Sequence, residues 1–411
     1  MFMKQRHYSP LFWTFFGLLL LILFGLMRSI VAQEKPGWME LGSLAEASDI
    51  PASQYPVLAD WLEKNGKSPL DYAVEKCREH QIVIFGELHG IKDYLDLFHQ
   101  IIPRAYHQAG MRYVVLEVAK YEDNEKIARL VEGQSFDRDL ALEIARNAGW
   151  STWNSKEYWD VFEVVWKLNR SLPAGAEHMK VIGMDVSVNL ELEWMRGEKK
   201  LKDPKLISQA QRQGLLISNR DELMASAIDT NIIRNDSKGM VWVGFNHSFT
   251  HYGQPFVNKD GLLLREFHRM GYLLHQRFGE RIFQIGFHYQ FDSPSIIHEG
   301  SKGPEPLFTN MLEKIMKLRQ DRPVGWDVFT SPFGQIRDKY SYYFHFQPSV
   351  RFADLSRGYI FLKPWARLSP CLKIRDFITE AMFLERKAYY EARFKKTFKN
   401  AEEVNEMLEG R

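Results

Sequence analysis

Gln81-Ile82-Val83-Ile84-Phe85-Gly86-Glu87-Leu88-His89-Gly90 is the stretch on which the reading of this chain turns. Four consecutive apolar residues, Ile82 to Phe85, read as a short strand buried on both faces, the kind that fills a parallel sheet. The run passes directly into Glu87 and His89. These two side chains point to one side while the chain stays extended. Gly86 and Gly90 allow a tight turn and a close approach of a ligand.

Five further runs of the same kind follow. They are Tyr113-Val114-Val115-Leu116, Val181-Ile182-Gly183-Met184, Met240-Val241-Trp242-Val243, Ile282-Phe283-Gln284-Ile285 and Tyr359-Ile360-Phe361-Leu362. Helical patterns lie between them. Leu95, Phe98, Ile102 and Tyr106 recur at steps of three and four and stop at Gly110. Tyr158, Phe162, Val165 and Leu168 form a second stripe, which Asn154 and Glu157 are expected to open as a capping pair. Residues 204–233 read as one or two more helices. Such alternation predicts an α/β fold, a mostly parallel central sheet with helices on both faces.

Ligands of open α/β sheets bind beyond the carboxyl ends of the strands. The first strand delivers Glu87 and His89 there, the second Glu117 and the third Asp185. The fourth runs into Gly244-Phe245-Asn246-His247, with Ser248 and His251 just after. Gly-x-x-His also occurs at Gly175–His178, but in a loop before a strand, at the wrong end of the sheet. Carboxylates and imidazoles converging in this way can activate a water or hold a metal ion. Glu87, His89, Glu117 and His247 are the candidate catalytic residues, with Asp185, His251 and Asn246 as secondary candidates. His89, His247, Glu87 and Glu117 are the candidate metal ligands.

The remaining composition sets limits. At 411 residues the chain can bury a core without disulfides, and its two cysteines, Cys77 and Cys371, exclude a Cys-x-x-Cys zinc or redox site. Lys and Arg number 54 against 52 Asp and Glu, which argues against nucleic-acid binding by bulk charge. Lys4, Arg6 and His7 precede an uncharged apolar run from Leu11 to Met27, closed by Arg28 and the small-residue stretch Ser29–Ala32. This is the layout of a signal peptide or a membrane anchor within residues 1–35. The rest is expected outside the cytosol, periplasmic or at the cell surface, with the N-terminal segment as its membrane contact. Residues 36–80 read as a lead-in, 81–292 as the α/β core, 293–373 as an aromatic-rich insertion or lid with the last strand, and 374–411 as a charged C-terminal helix.

The motif Gly86-Glu87-Leu88-His89-Gly90, followed by a helix and by Gly110 to Glu117, resembles the erythromycin esterase family. Arg220-Asp221-Glu222-Leu223-Met224-Ala225 resembles that family's Arg-Asp-x-x-Met-Ala helix, and Val241 to His247 its strand ending in a histidine motif. The segment from Gly261 to Phe287 resembles the one that closes its core. One residue separates Glu87 from His89 where esterase members place two, which leans towards the wider Tiki, TraB and ChaN group. The resemblance implies an esterase-like or metal-dependent peptidase-like hydrolase acting on a small-molecule or peptide substrate. His89 would deprotonate a water under the control of Glu87, and Glu117 would position it. His247 would assist the tetrahedral intermediate or act as an acid, and Arg220 would stabilise an oxyanion. The cofactor would be none or a divalent metal ion. A ChaN-like chain would instead bind haem or iron through an axial histidine beneath an aromatic flap.

Overall fold

Seven strands build the central sheet in the computed structural model. They are β1 (Ile82–Glu87), β2 (Tyr113–Lys120), β3 (Lys180–Asp185), β4 (Gly239–Gly244), β5 (Ile282–Phe287), β6 (Val324–Asp327) and β7 (Gly358–Phe361). Their order is β3-β2-β4-β1-β5-β7-β6. Every neighbouring pair is parallel except β7 with β6. The structure describes residues 44–148, 153–186, 201–257, 263–288, 311–339, 341–345 and 347–409, with single positions at 192, 195, 196, 199 and 308. The expected signal or anchor lies outside the described residues. No described helix is long and apolar enough to cross a membrane.

The six expected strands are present, and the alternation of their side chains shows why continuous apolar runs are needed. Val83, Phe85, Val114, Leu116, Met240 and Trp242 enter one buried cluster, while Ile82, Ile84, Tyr113, Val115, Val241 and Val243 enter another. Both faces are covered, so both parities of position are apolar, and the one polar side chain inside these runs, Gln284, is buried with its amide bonded to Ser248 Oγ and the Arg357 N–H. Helices α1 (Lys92–Ala109) and α2 (Lys156–Ser171) cover the first face. Helices α3 (Arg220–Ile228) and α4 (Met270–Phe278) cover the second. Both predicted stripes are buried, and α1 stops at Gly110, left-handed at φ 71°.

Three features differ from expectation. The seventh strand, β6, arises inside the segment read as an insertion or lid. An antiparallel edge strand needs only one partner, so four residues suffice, and they carry no long apolar run. Gly325 of β6 has no room for a side chain: a Cβ there would sit 2.6 Å from the Tyr72 ring. The Asn154–Glu157 capping pair does not form. Ser155 holds the N-cap position of α2, and the Glu157 carboxylate instead accepts from the Leu372 backbone N–H at 2.9 Å. Most described aromatics of the 293–347 segment are core: Trp326 packs on Phe333 and Tyr359, and Tyr343 on Phe245 and Phe249, while Phe329 is half-buried beneath Arg357. The C-terminal helices Glu380–Phe394 and Ala401–Glu409 turn charge outward but bury Phe383, Tyr390, Val404 and Leu408 in the first cluster.

Candidate functional site

The carboxyl ends of β1 to β4 and the first residues of α3 meet at one edge of the sheet. Glu87 is the last residue of β1, and its side chain is fully buried. The chain turns after it, and His89 Nδ1 lies 2.7 Å from Glu87 Oε1. A carboxylate can only accept, so Nδ1 carries the proton and Nε2 presents a lone pair. Tyr158, on α2, donates to the same Oε1 at 2.7 Å and accepts from the Gly90 N–H, also at 2.7 Å. The turn that carries His89 is thereby tied to the carboxylate that orients it. A Cβ on Gly86 would run into the Ser248 side chain, so this glycine serves the packing of residues 245–248 across the strand end.

A second cluster centres on Arg220. Its Nη2 donates to Glu117 Oε1 at 2.7 Å, and Nε and Nη2 form a fork on Asp185 at 2.6 and 3.0 Å. Nη1 lies 3.1 Å from His247 Nε2. A guanidinium can only donate, so Nε2 of His247 accepts and its Nδ1–H goes to Asp221 Oδ1 at 2.6 Å. In this arrangement His247 turns a lone pair to Arg220 rather than a proton to the cleft. Asp221 also accepts from Arg269 at 3.2 Å and from the Met270 N–H at 2.8 Å. The second oxygen of Glu117 accepts from the Gly244 N–H at 2.6 Å and stands 3.9 Å from His89 Nε2.

The electrostatics follow from this wiring. Burial pushes the Glu87 carboxyl up, and the hydrogen bonds from His89 and Tyr158 only partly offset that. Burial would lower the His89 imidazole, but the hydrogen bond and charge of Glu87 more than compensate, so it is raised. Burial would also raise Glu117. Imidazoles are cationic at the pH where carboxylates titrate, and His247, Arg220 and His89 together hold Glu117 far below the usual range. Asp221, against the same opposing burial, is held at about 2 by His247 and Arg269.

The site opens into a cleft of about 550 Å³ lined by His89, Glu117, Trp153, Tyr158, Arg220 and His247, among others. The Trp153 ring meets the His89 imidazole edge-on at 4.8 Å. A larger cavity, about 820 Å³ beside Tyr113 and Ile182, has no histidine in its lining.

Of the expected residues, Glu87, His89, Glu117, His247 and Arg220 converge here, and Asp185 joins them through Arg220. Asn246 does not: its Oδ1 accepts from Tyr343 at 2.6 Å. His251 does not line the cleft either. It stacks near His275, and with Glu280 these form a three-residue group compatible with a metal ion. The four expected metal ligands of the cleft do not fit one as arranged. Both oxygens of Glu117 and both ring nitrogens of His247 are engaged. Glu87 binds the Nδ1 side of His89 and does not line the cleft, its Oε2 buried without a partner among the described residues, which leaves His89 Nε2 as the open donor of the four that faces the cleft.

Asp221 and Tyr158 are functional partners that the strand-end reading overlooks. Asp221 follows Arg220 directly, and Tyr158 sits in an apolar stripe with only its hydroxyl to mark it. Tyr158→Phe should cost about 1–3 kcal/mol, because it strips a donor from a buried carboxylate and leaves the Gly90 N–H unpaired. Urea unfolding measures this, and an unchanged midpoint would contradict it.

No sequence family matches the chain, and no curated protein does. Solved structures do. A protein from Bacillus cereus superposes with a TM-score of 0.50 at 14% identity, over 78% of this chain and 99% of its own. A variant of the erythromycin esterase EreC in its open conformation gives 0.45 at 13% identity, over 76% and 94%. ChaN of Campylobacter jejuni, in a structure with cofacial haem, gives 0.33 at 14%, over 55% and 88%. At such identities likeness speaks of fold, and this chain shares the fold of the Bacillus cereus protein along nearly that protein's whole length.

Proposed function

We propose that this protein is a hydrolase in which His89 activates water for attack on an ester or amide carbonyl. One observation carries the reading: a buried carboxylate holds the far side of the imidazole at 2.7 Å, while Nε2 opens on the cleft. That is the arrangement of an oriented general base. Among the described residues no serine or cysteine bonds to Nε2, so water is the nucleophile. The 3.9 Å span from Nε2 to Glu117 Oε2 lets one water donate to both.

The water oxygen bonds to the carbonyl carbon as its proton passes to His89 Nε2. The carbonyl oxygen takes the displaced electron pair beside Arg220. Four of the five guanidinium N–H groups are taken by Glu117, Asp185 and His247, and one Nη1–H, without a partner among the described residues, is left to meet that charge. Collapse breaks the bond to the leaving oxygen or nitrogen, which recovers the proton from His89. Glu117 stays ionised throughout, because its cationic surroundings hold it so far down.

The test is hydrolysis of p-nitrophenyl esters and anilides by the full chain, with and without chelator. Chelator-insensitive turnover is expected. No turnover on either substrate class, turnover that needs a divalent ion, or a Soret band bound through His89 would overturn the reading. Gly244→Ala offers a finer check. Its backbone sits at φ −58°, which alanine accepts, but a Cβ would lie 2.8 Å from His89 Nε2 and 3.3 Å from Glu117 Oε2. Displacing the base by a fraction of an ångström should cost about 10²-fold in kcat with little change in melting temperature. The apolar run from Leu11 to Met27 supports placing this hydrolase outside the cytosol. A C-terminal alkaline phosphatase fusion, active only when exported, tests that.

A further inference from the structure

The cleft that holds His89 is also lined by Lys373 and Ser155. The Lys373 ammonium donates to Ser155 Oγ at 3.2 Å, and it forms no ion pair among the described residues. A half-buried lysine without a carboxylate is unusual, since lysines that leave water are normally paired. Ser155 is as odd. It is 1% exposed and holds the N-cap position of α2, yet its side chain caps no helix N–H. Its oxygen accepts from Lys373, and its own hydrogen has no acceptor among the described residues.

These two residues are held in place. Ser155 and Lys373 face each other in an antiparallel bridge. Lys156 N donates to Leu372 O at 2.8 Å and Ile374 N to Asn154 O at 2.7 Å. The same rim segment reaches the turn after His89, where Cys371 N donates to Gly90 O at 2.8 Å. The Lys373 donors therefore sit at a fixed position relative to the base. Glu157, whose charge acts on Lys373, makes no ion pair with it and accepts from the Leu372 N–H. Burial lowers the Lys373 pKa, and the neighbouring Cys371 and Glu157 only partly offset it.

We propose that Lys373 Nζ and the Ser155 hydroxyl form a carboxylate subsite, so that the substrate is an ester or amide carrying a free carboxylate. That carboxylate docks on the rim while the scissile carbonyl faces His89 Nε2. The inference rests on the hydrolase reading and names its substrate class. One ammonium and one hydroxyl match the two oxygens of a carboxylate. Trp153, edge-on to His89, provides the apolar wall along the path between rim and base.

The experiment compares mono-p-nitrophenyl glutarate with p-nitrophenyl butyrate on the full chain and on Lys373→Met and Lys373→Arg variants. Wild type should favour the glutarate ester in kcat/KM by about tenfold or more, the worth of one charge-assisted contact. Lys373→Met should raise KM for the glutarate ester by a similar factor, with kcat and the butyrate constants unchanged. Lys373→Arg should restore part of the loss. Equal kcat/KM on the two esters, or a Lys373→Met effect common to both, overturns the subsite and leaves the hydrolase standing. Calorimetry with free glutarate separates the two failures when neither ester is cleaved. Binding to wild type that is lost in Lys373→Met upholds the subsite and rejects the hydrolase, and no binding to wild type rejects the subsite.

Discussion

His89→Asn should lower kcat for ester hydrolysis by about 10²–10⁴-fold, the usual contribution of a positioned general base. Asparagine is the informative replacement. Its amide can still donate to Glu87 Oε1, so the buried carboxylate keeps a partner and the fold should hold. What disappears is the Nε2 lone pair at the cleft. A variant with an unchanged urea midpoint and more than a tenth of wild-type activity would remove His89 from the chemistry. The pH dependence adds a second readout. The base works unprotonated, so kcat/KM should rise as pH climbs through the raised pKa of His89. Glu87→Gln removes the charge and hydrogen bond that raise it. The rising limb should then move to lower pH while the plateau falls, because the amide no longer fixes the tautomer. A limb that stays in place would mean that Glu87 does not tune His89.

Arg220→Ala should cost about 3–5 kcal/mol of stability, the range for breaking a buried ion pair from one side. The side chain is 15% exposed and bridges Glu117 and Asp185, which are buried themselves. Without it two carboxylates and the His247 lone pair are left with no cation between them. The effect carries a pH signature. The folded pKa of Glu117 lies below its unfolded value, so its stabilising contribution is complete above the unfolded pKa and is lost as pH falls towards the folded one. In Arg220→Ala the carboxylate loses a main cause of that depression. The stability gap between wild type and variant should therefore be widest near neutral pH and narrow under acid conditions. Urea titrations from about pH 7 down to about pH 2 measure it, and a gap that is small or independent of pH over that range would deny Arg220 its role as the hub.

The site was legible in proportion to how local its contacts are. Glu87 and His89 pair two residues apart along one strand end, and alternation alone brings them to the same side. Glu117, Asp185 and His247 were found because polar residues closing apolar strands must lie at one edge of a parallel sheet. Arg220 was found from its motif, but its partners were not. The guanidinium reaches Glu117, 103 positions away, and the adjacent Asp221 is left to orient His247. Asn246 and His251 sat in the right stretch of chain and face elsewhere, because the short helix at Phe245–Ser248 rotates successive side chains out of the strand's alternation.

Six of the seven strands could be read directly, since a strand covered on both faces admits a polar residue only where its hydrogen bonds are met, as at Gln284, and so declares itself as an apolar run. The edge strand β6 lacks that constraint and stayed hidden. So did every contact that depends on which strands are neighbours. Tyr158 to Glu87, Arg220 to Glu117 and Lys373 to Ser155 all join elements far apart in the chain. Spacing within an element sets the direction of a side chain. Only sheet order and helix placement set what stands opposite, and those emerge from burying the whole apolar surface at once.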